Sequence, residues 1–346
     1  DKSAMDGYAG RRCDLAQELK VIEEIPAGRL PTKRIGPGQC AKIMTGAPVP
    51  EGADCVVMRE LVDEVGKPGW IRNADPKTAD NICRQGEDTR TGDTVLTAGE
   101  RVTPAHIAVL ATVGCVRPLV ARRPVVAVLA TGSELVEPDQ RPEAAAIRNS
   151  NSYQLVAQIQ AMGAEPRYLG IVPDTVADTD AALKKAMEIS DLIVLSGGVS
   201  VGDYDFVPGV LKQNNFSFLF DSVAMKPGKP TLFARNGSIF TCGLPGNPVS
   251  TFVIFEILLK PFLYRLMGHD YQAGCVPSTL AAAMIRKQTA RQSTIPVAFV
   301  APGVVAPVEY HGSAHINAMA RAHGLVTIPV GCNGFKKGET VDVRPL

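Results

Sequence analysis

DLIVLSGGVSVGDYDF, residues 191–206, joins an apolar run to a glycine-rich turn and a segment that predicts a helix. A fully apolar run is what a strand buried on both faces of a parallel sheet requires. Strand, turn and helix in that order form the repeating unit of an α/β domain. Two further loops follow: MKPGKP at 225–230 and GLPGNPVS at 243–250. Each of the three follows a short apolar run, and the outer two lead into predicted helices. Loops of this kind gather at one rim of an open α/β sheet, where ligands bind. Their chemistry is that of an anion site, with backbone N–H groups from glycines, two lysines and a helix start.

Outward from these loops, residues 123–268 alternate strand and helix. PVVAVLA (124–130) predicts a buried strand. SNSYQLVAQIQAMG (150–163) predicts a helix with a Ser/Asn cap, an apolar face of Leu155, Val156, Ile159 and Met162, and Gly163 at its end. Then come strand PRYLGIV, helix VADTDAALKKAMEI and strand DLIVLS, followed by strands FLFDSVAM, TLFA and SIFTCG. Asn236-Gly237 is a hairpin signal between the last two. Asn247 is predicted to cap a long helix with Pro248 at its first position, which Pro261 kinks or ends.

Residues 11–85 are rich in Gly and Pro with short β-like runs, LKVIEEI, CAKIMTG and CVVMREL, which predicts a small all-β module. Residues 86–122 contain a turn at 91–93 and a predicted helix capped by Thr103, with Pro104 at its first position and an apolar stripe of Ile107, Leu110 and Ala111. From 270 onward, IPVAFVAPGVV, GLVTIPVG and ETVDVRPL predict a second β module.

The bulk numbers bound the function. A chain of 346 residues holds two to four domains. Its net charge of +1 gives no global field for nucleic acid or an anionic membrane, so anion attraction is local. The longest apolar run, Phe252 to Leu259, contains Glu256 and falls short of the ~18 residues of a membrane span. The eight cysteines have no CxxC spacing, which argues against a zinc ribbon or redox dithiol and predicts a reducing, cytoplasmic setting. No signal or transit pattern is present at the start, and DKSAMDGYAG is already dense in motif, so residues preceding Asp1 are expected.

Among side chains with chemistry, Lys226 and Lys229 are held in a stiff turn by prolines and a glycine. Read alone, such a pair is equally a solvated surface. Asn247 and Pro248 open a helix whose first N–H groups suit an anion, with Ser250 in its first turn either donating or capping. Gly197 and Gly198 let the backbone approach a phosphate closely. Neither the phosphate-loop pattern nor the dinucleotide spacing is present. Glu134, Asp174 and Asp205 each follow a predicted parallel strand and so converge on one rim, unless each merely caps a helix. Carboxylates so placed suit Mg²⁺, which takes one or two of them plus substrate phosphate and water. Asp6, in SAMDGYA, and Thr45, in IMTGAPVP, stand out without spacing that interprets them. No nucleophile elbow appears, no cysteine sits in a site motif, and the five histidines lack metal-ligand spacing.

SAMDGYA, IMTGAPVPEGAD, TGSEL, SGGVSVGDYD, MKPGKP and GLPGNPVS, in that order, resemble the MoeA family of molybdopterin molybdenumtransferases, to which the gephyrin E domain belongs. The resemblance runs from Asp1 to Leu346 and lacks the family's N-terminal helical portion. It implies a multidomain α/β and β fold. Residues 1–10 and 86–122 would form an elongated discontinuous dimerisation domain, and 11–85 an inserted β domain. Residues 123–269 would form a central molybdopterin-binding-type α/β domain with a mostly parallel sheet, and 270–346 a C-terminal β domain. It further implies a homodimer whose site is shared between subunits, with SAMDGYA and IMTGAP of one chain facing the α/β domain of the other.

The implied reaction joins molybdate to adenylylated molybdopterin, with Mg²⁺-assisted release of AMP. Carried over by motif, Asp6, Thr45, Glu134, Asp174 and Asp205 serve the site, with Glu134 and Asp205 at the cation. Lys226, Lys229 and Ser250 hold molybdate or the pterin phosphate, Pro245 and Pro248 shape the loop, and Ser313 joins from the C-terminal loop GSAHINAM. A molybdopterin adenylyltransferase is the implied upstream partner; neither nucleic acid nor membrane is. The chain departs from relatives at Ser222, where several have lysine, and at Asn317, where serine is common. A non-catalytic pterin-binding scaffold and a tungsten-selective paralogue are the alternative readings.

Overall fold

Two units divide the chain, Asp1–Leu96 and Thr97–Leu346. The structure is a computed structural model that describes residues 1–75, 77–199, 206–309 and 312–346.

The first unit is built on a six-stranded sheet in the order Cys55–Met58, Gly7–Gly10, Gln39–Ile43, Glu18–Ile25, Trp70–Asn73, Val62–Glu64. The three β-like runs noted in 11–85 supply three of these strands. Gly7–Gly10 lies inside the same sheet, paired antiparallel to Gln39–Ile43 and Cys55–Met58. Side chains alternate between two faces, as strand geometry dictates. Ala9, Ile25, Ile43 and Val56 pack on one side, and Leu19, Cys40, Cys55 and Val57 on the other.

The second unit contains a mixed sheet in the order Glu165–Val172, Val125–Thr131, Leu192–Ser196, Ile239–Leu244, Leu232–Asn236, Ser217–Phe220. The first four strands are parallel, and the last two pair antiparallel. Both faces are covered, which explains the unbroken apolar runs. Val126, Val128, Leu192 and Val194 meet the helix Asn151–Ala161 and the helical stretch from Pro248. Ala127, Leu129, Ile193 and Leu195 meet the helices Val176–Ile189 and Val207–Gln213.

Several local expectations need correction. FLFDSVAM is not one strand. Ser217–Phe220 closes the edge of the central sheet, while Met225–Lys226 pairs parallel with Gln292–Ala301 in the C-terminal sheet. Its polar middle, Asp221 and Ser222, is exposed and lets the chain leave one sheet for another. In the hairpin that follows, Asn236 pairs with Ile239, so the two-residue turn is Gly237-Ser238 and not Asn-Gly. The cap of helix Asn151–Ala161 comes from Asn149, whose Oδ1 accepts from the Ser152 N–H at 3.2 Å, not from Ser150. Pro261 does not end its helix. A π-helical turn, Phe255–Leu259, widens the helix just before it, which relieves the clash between the proline ring and the preceding turn, and helix resumes over Lys260–Leu266.

Thr103 caps the helix Pro104–Thr112 in a reciprocal box with His106, an arrangement worth about 1 kcal/mol. Of its expected apolar stripe only Leu110 is buried. The C-terminal strands Gln292–Ala301, Val304–Pro307, Val276–Leu280, Thr340–Pro345 and Gly324–Ile328 close into a ring, because the first also pairs with the last. Val297, Val305, Val326 and Val343 fill it. Among the described residues no helix is long and apolar enough to cross a membrane.

Candidate functional site

Parallel strands end on a common rim, and here four do so in register: Thr131 opposite Val172, and Ser196 opposite both Ala130 and Leu244. The loops leaving these ends enclose a cleft of about 640 Å³. Glu134 and Asp174 line it, with Gly197 and Gly198, and with Pro245, Asn247 and Pro248. Thus seven of the residues singled out from sequence meet in one place.

Their engagement differs. Asp174 accepts a hydrogen bond at Oδ2 from the Ser133 N–H at 2.9 Å, and its own N–H donates to Ser133 Oγ at 3.2 Å. One carboxylate oxygen is therefore spent on tying two loops together. Glu134 is exposed, and its backbone carbonyl takes the Ile147 N–H at 2.8 Å. Its loop runs on into Leu135–Val136, which pairs with Ile147–Arg148. Asn247 does not cap its helix through its side chain. Asn247 is exposed and borders the cleft, while the Thr251 hydroxyl donates to the Pro245 carbonyl at 2.7 Å and shapes the turn.

Other expected residues lie elsewhere. Ser250 is buried in the first helical turn and is absent from the lining. Lys226 and Lys229 are exposed and do not line this cleft. Their turn is pinned by Gly228, at φ +102°, where a Cβ would come within 2.4 Å of Ile254 Cγ1. Ser313 contributes its carbonyl, which accepts the Val249 N–H at 3.0 Å, so one donor of the helix start is already used. The same C-terminal loop brings Ala314 and Ile316 into the lining. Asp205 lies outside the described residues. Among the described residues there is no cluster of three or more His, Cys, Asp or Glu able to hold a metal.

Asp6 and Thr45 are brought to each other in the first unit. Asp6 Oδ1 accepts from both the Thr45 N–H and its hydroxyl, each at 2.7 Å. The antiparallel pairing of Gly7 with Ile43 causes this, since both residues sit just beyond that rung. These two bonds, the backbone one first, hold the Asp6 carboxyl below its ordinary value of 3.8. A lowered folded pKa stabilises the loop at neutral pH, and that contribution is lost as pH falls from the ordinary value through the lower folded one. Thr45→Ala removes the hydroxyl bond and leaves the N–H. The Asp6 midpoint should then rise yet stay below 3.8, read by a carboxylate NMR titration. An unchanged midpoint would contradict this account.

Sequence reading missed the segment Ile147–Asn151, which lines the cleft from Ile147 through Arg148, Asn149 and Ser150 to Asn151. The signal for it is the polar run Arg148 to Ser152 between a strand end and a helix start. Behind it, Asn149 Nδ2 donates to the Tyr168 hydroxyl at 2.8 Å, and that hydroxyl donates to Glu137 at 2.6 Å. Burial, aided by Glu137, pushes the Tyr168 phenol up and keeps it protonated. Burial also pushes the Cys40 and Cys55 thiols up to about 12, so neither is a nucleophile at neutral pH.

Charge decides what the cleft accepts. Its lining side chains carry two carboxylates and one guanidinium, and Arg148 Nε is turned toward the Pro138 and Gln140 carbonyls at 3.0 and 3.2 Å. The glycine turns leave room for close approach of a phosphate-bearing ligand, though the Gly132 and Gly197 N–H groups are spent on the Val172 and Leu244 carbonyls, and beside Glu134 and Asp174 such a ligand needs a cation between. Two carboxylates plus substrate oxygens are a donor set that fits Mg²⁺.

Comparison with known proteins agrees along the whole chain. A family model of the MoeA N-terminal region (domain I and II) matches residues 1–114. A probable molybdopterin binding domain matches 127–265, and the MoeA C-terminal region (domain IV) matches 279–346. The molybdopterin molybdenumtransferase of Bacillus subtilis is 37% identical over 356 residues, covering 99% of this chain and 83% of that protein. Its counterpart from Staphylococcus aureus strain N315 is 37% identical over 359 residues, covering 99% and 84%. A crystal structure of the molybdopterin biosynthesis MoeA protein from Pyrococcus horikoshii superposes with a TM-score of 0.82 at 28% identity, covering 100% of this chain and 87% of that one.

Proposed function

Because the chain belongs to the MoeA family of molybdopterin molybdenumtransferases, and so transfers a molybdenum-containing group in molybdenum cofactor biosynthesis, we propose that it inserts molybdate into adenylylated molybdopterin with Mg²⁺-dependent release of AMP. The observation that carries this reading is the pairing of glycine loops with two carboxylates at one parallel-strand rim. Gly198 would offer its N–H to the phosphates, Gly197, whose own N–H is spent on the Leu244 carbonyl, would allow their close approach, and Asn247 borders the same space. Glu134, free of a helix-capping task, would hold Mg²⁺, with Asp174 fixing the loop that carries it; Asp205 joins them on its motif alone. When bound, the cation would neutralise the pyrophosphate and polarise the bond that breaks. A molybdate oxygen would attack the molybdopterin phosphorus and the P–O bond to AMP would break, so that AMP departs; the two dithiolene thiols would then take molybdenum, leaving the attacking oxygen on the phosphate and releasing a second molybdate oxygen as water. No protein nucleophile is required, and no cysteine lines the cleft.

Lys226, Lys229 and Ser250 remain our choices for molybdate or terminal phosphate, and Ser313 for shaping the helix start. The four-domain division set out above is our reading of how these parts are carried. Within it, the exposed Asp6–Thr45 pair of a second copy completes the site of a homodimer. The substrate's adenylyl group requires an adenylyltransferase upstream. The test is to incubate the protein with adenylylated molybdopterin, Mg²⁺ and molybdate and to measure AMP. Molybdate-dependent release is expected, and its absence refutes the reading. Tungstate in place of molybdate reads metal preference in the same assay.

A further inference from the structure

We propose that Asn151 is a positioning residue that sets the spacing of the two glycine loops holding the phosphates; this rests on the cleft being the phosphate site proposed above. One amide nitrogen makes both ties. Asn151 Nδ2 donates to Ser196 Oγ at 2.8 Å and to the Gly246 carbonyl at 2.7 Å. Ser196 ends the strand that leads into Gly197 and Gly198. Gly246 sits in the turn that presents Asn247 and Pro248. The loops already touch, because the Gly197 N–H donates to the Leu244 carbonyl at 3.0 Å. To that one direct tie Asn151 adds two more, both to a separate element, the first turn of helix Asn151–Ala161, which makes three. Three anchors define a rigid frame where two leave a hinge, and phosphate donors act by being held in place beforehand.

The helix does not explain this residue. Asparagine is a poor helix former, and the cap is supplied by Asn149. Moreover, Asn151 Oδ1 is buried without a hydrogen-bond partner among the described residues. Only two other buried side-chain oxygens there share that state, and one, Thr131 Oγ1, borders the same cleft beside Gly198. An orphaned acceptor costs stability. Retaining it here is accounted for by the two donors on the same amide, which no aliphatic side chain can replace.

Asn151→Asp is isosteric but places an acceptor against the Gly246 carbonyl, so that tie is lost, while the Ser196 hydroxyl can turn and donate to the new carboxylate; Asn151→Ala removes both ties. The probe is Mg²⁺-pyrophosphate, bound to the full chain and followed by calorimetry. Asn151→Asp and Asn151→Ala should each weaken it about tenfold, as the loss of well-placed donors does, with thermal midpoints close to wild type. Ser196→Ala should weaken it less, and the Asn151→Ala, Ser196→Ala double variant should be no worse than Asn151→Ala, because the Ser196 bond is one of the two that Asn151→Ala already removes. In turnover, the KM for adenylylated molybdopterin should rise by the same factor while that for molybdate does not. Variants that bind pyrophosphate within twofold of wild type, or fully additive losses, overturn the proposal. If Asn151→Ala fails to fold, Asn151→Asp and Ser196→Ala decide it. Wild-type protein that binds no pyrophosphate overturns the phosphate-site reading itself, and this inference with it.

Discussion

Glu134→Gln is expected to lower molybdate-dependent AMP release about a hundredfold or more, since a cation that stabilises transition-state charge is worth several kcal/mol. The substitution keeps the size of the side chain and removes its charge. Glu134 is exposed, and its backbone bond to Ile147 is untouched by the change, so thermal stability should stay near that of wild type. The loss should shrink as Mg²⁺ is raised, because a weakened cation site is refilled by mass action. Steady-state AMP release over a Mg²⁺ series, beside a melting curve, measures both. Activity within threefold of wild type at low Mg²⁺ would remove Glu134 from the cation site.

Gly197→Ala is expected to destabilise the second unit by about 2–4 kcal/mol and to abolish pyrophosphate binding together with it. Gly197 stands at φ +98°, and a Cβ there would come within 2.4 Å of the Thr131 carbonyl oxygen and 3.0 Å of its hydroxyl. Both atoms belong to the neighbouring strand of a sheet buried on two faces, so neither can yield without breaking register. The same substitution at Gly209 meets nothing within 4 Å, in a helix that alanine favours. It should be neutral or stabilising by roughly 0.5–1 kcal/mol. A thermal melt of the two variants side by side reads the contrast. Equal midpoints would show that the strand end is softer than its packing implies.

Much of this was legible in the chain. Buried parallel strands announce themselves as unbroken apolar runs because both faces are covered, and PVVAVLA and DLIVLS are such runs. Parallel strands share their ends, so Glu134, Asp174, Gly197 and Asn247 were placed on one rim by counting strands alone. Pairings made at distance were not legible. Asp6 and Thr45 are 39 residues apart, and nothing local states that their strands are antiparallel neighbours. Likewise FLFDSVAM has the composition of one strand. That its two ends serve different sheets depends on where Gln292–Ala301 lies.

Residue types and their order, read as local pattern, therefore determined the elements, the rim and the family resemblance. Each of these follows from periodicity, turn chemistry and motif within a few dozen residues. Tertiary structure alone decided which side chains are free to act. It gave the cap of the first cleft helix to Asn149 and so released Asn151 to join two loops. It engaged Asp174 and left Glu134 exposed, and it kept Lys226, Lys229 and Ser250 out of the cleft lining. The reason is that a hydrogen bond is shared between partners, and whether a polar group is spent or free depends on neighbours that the chain brings from far along its length.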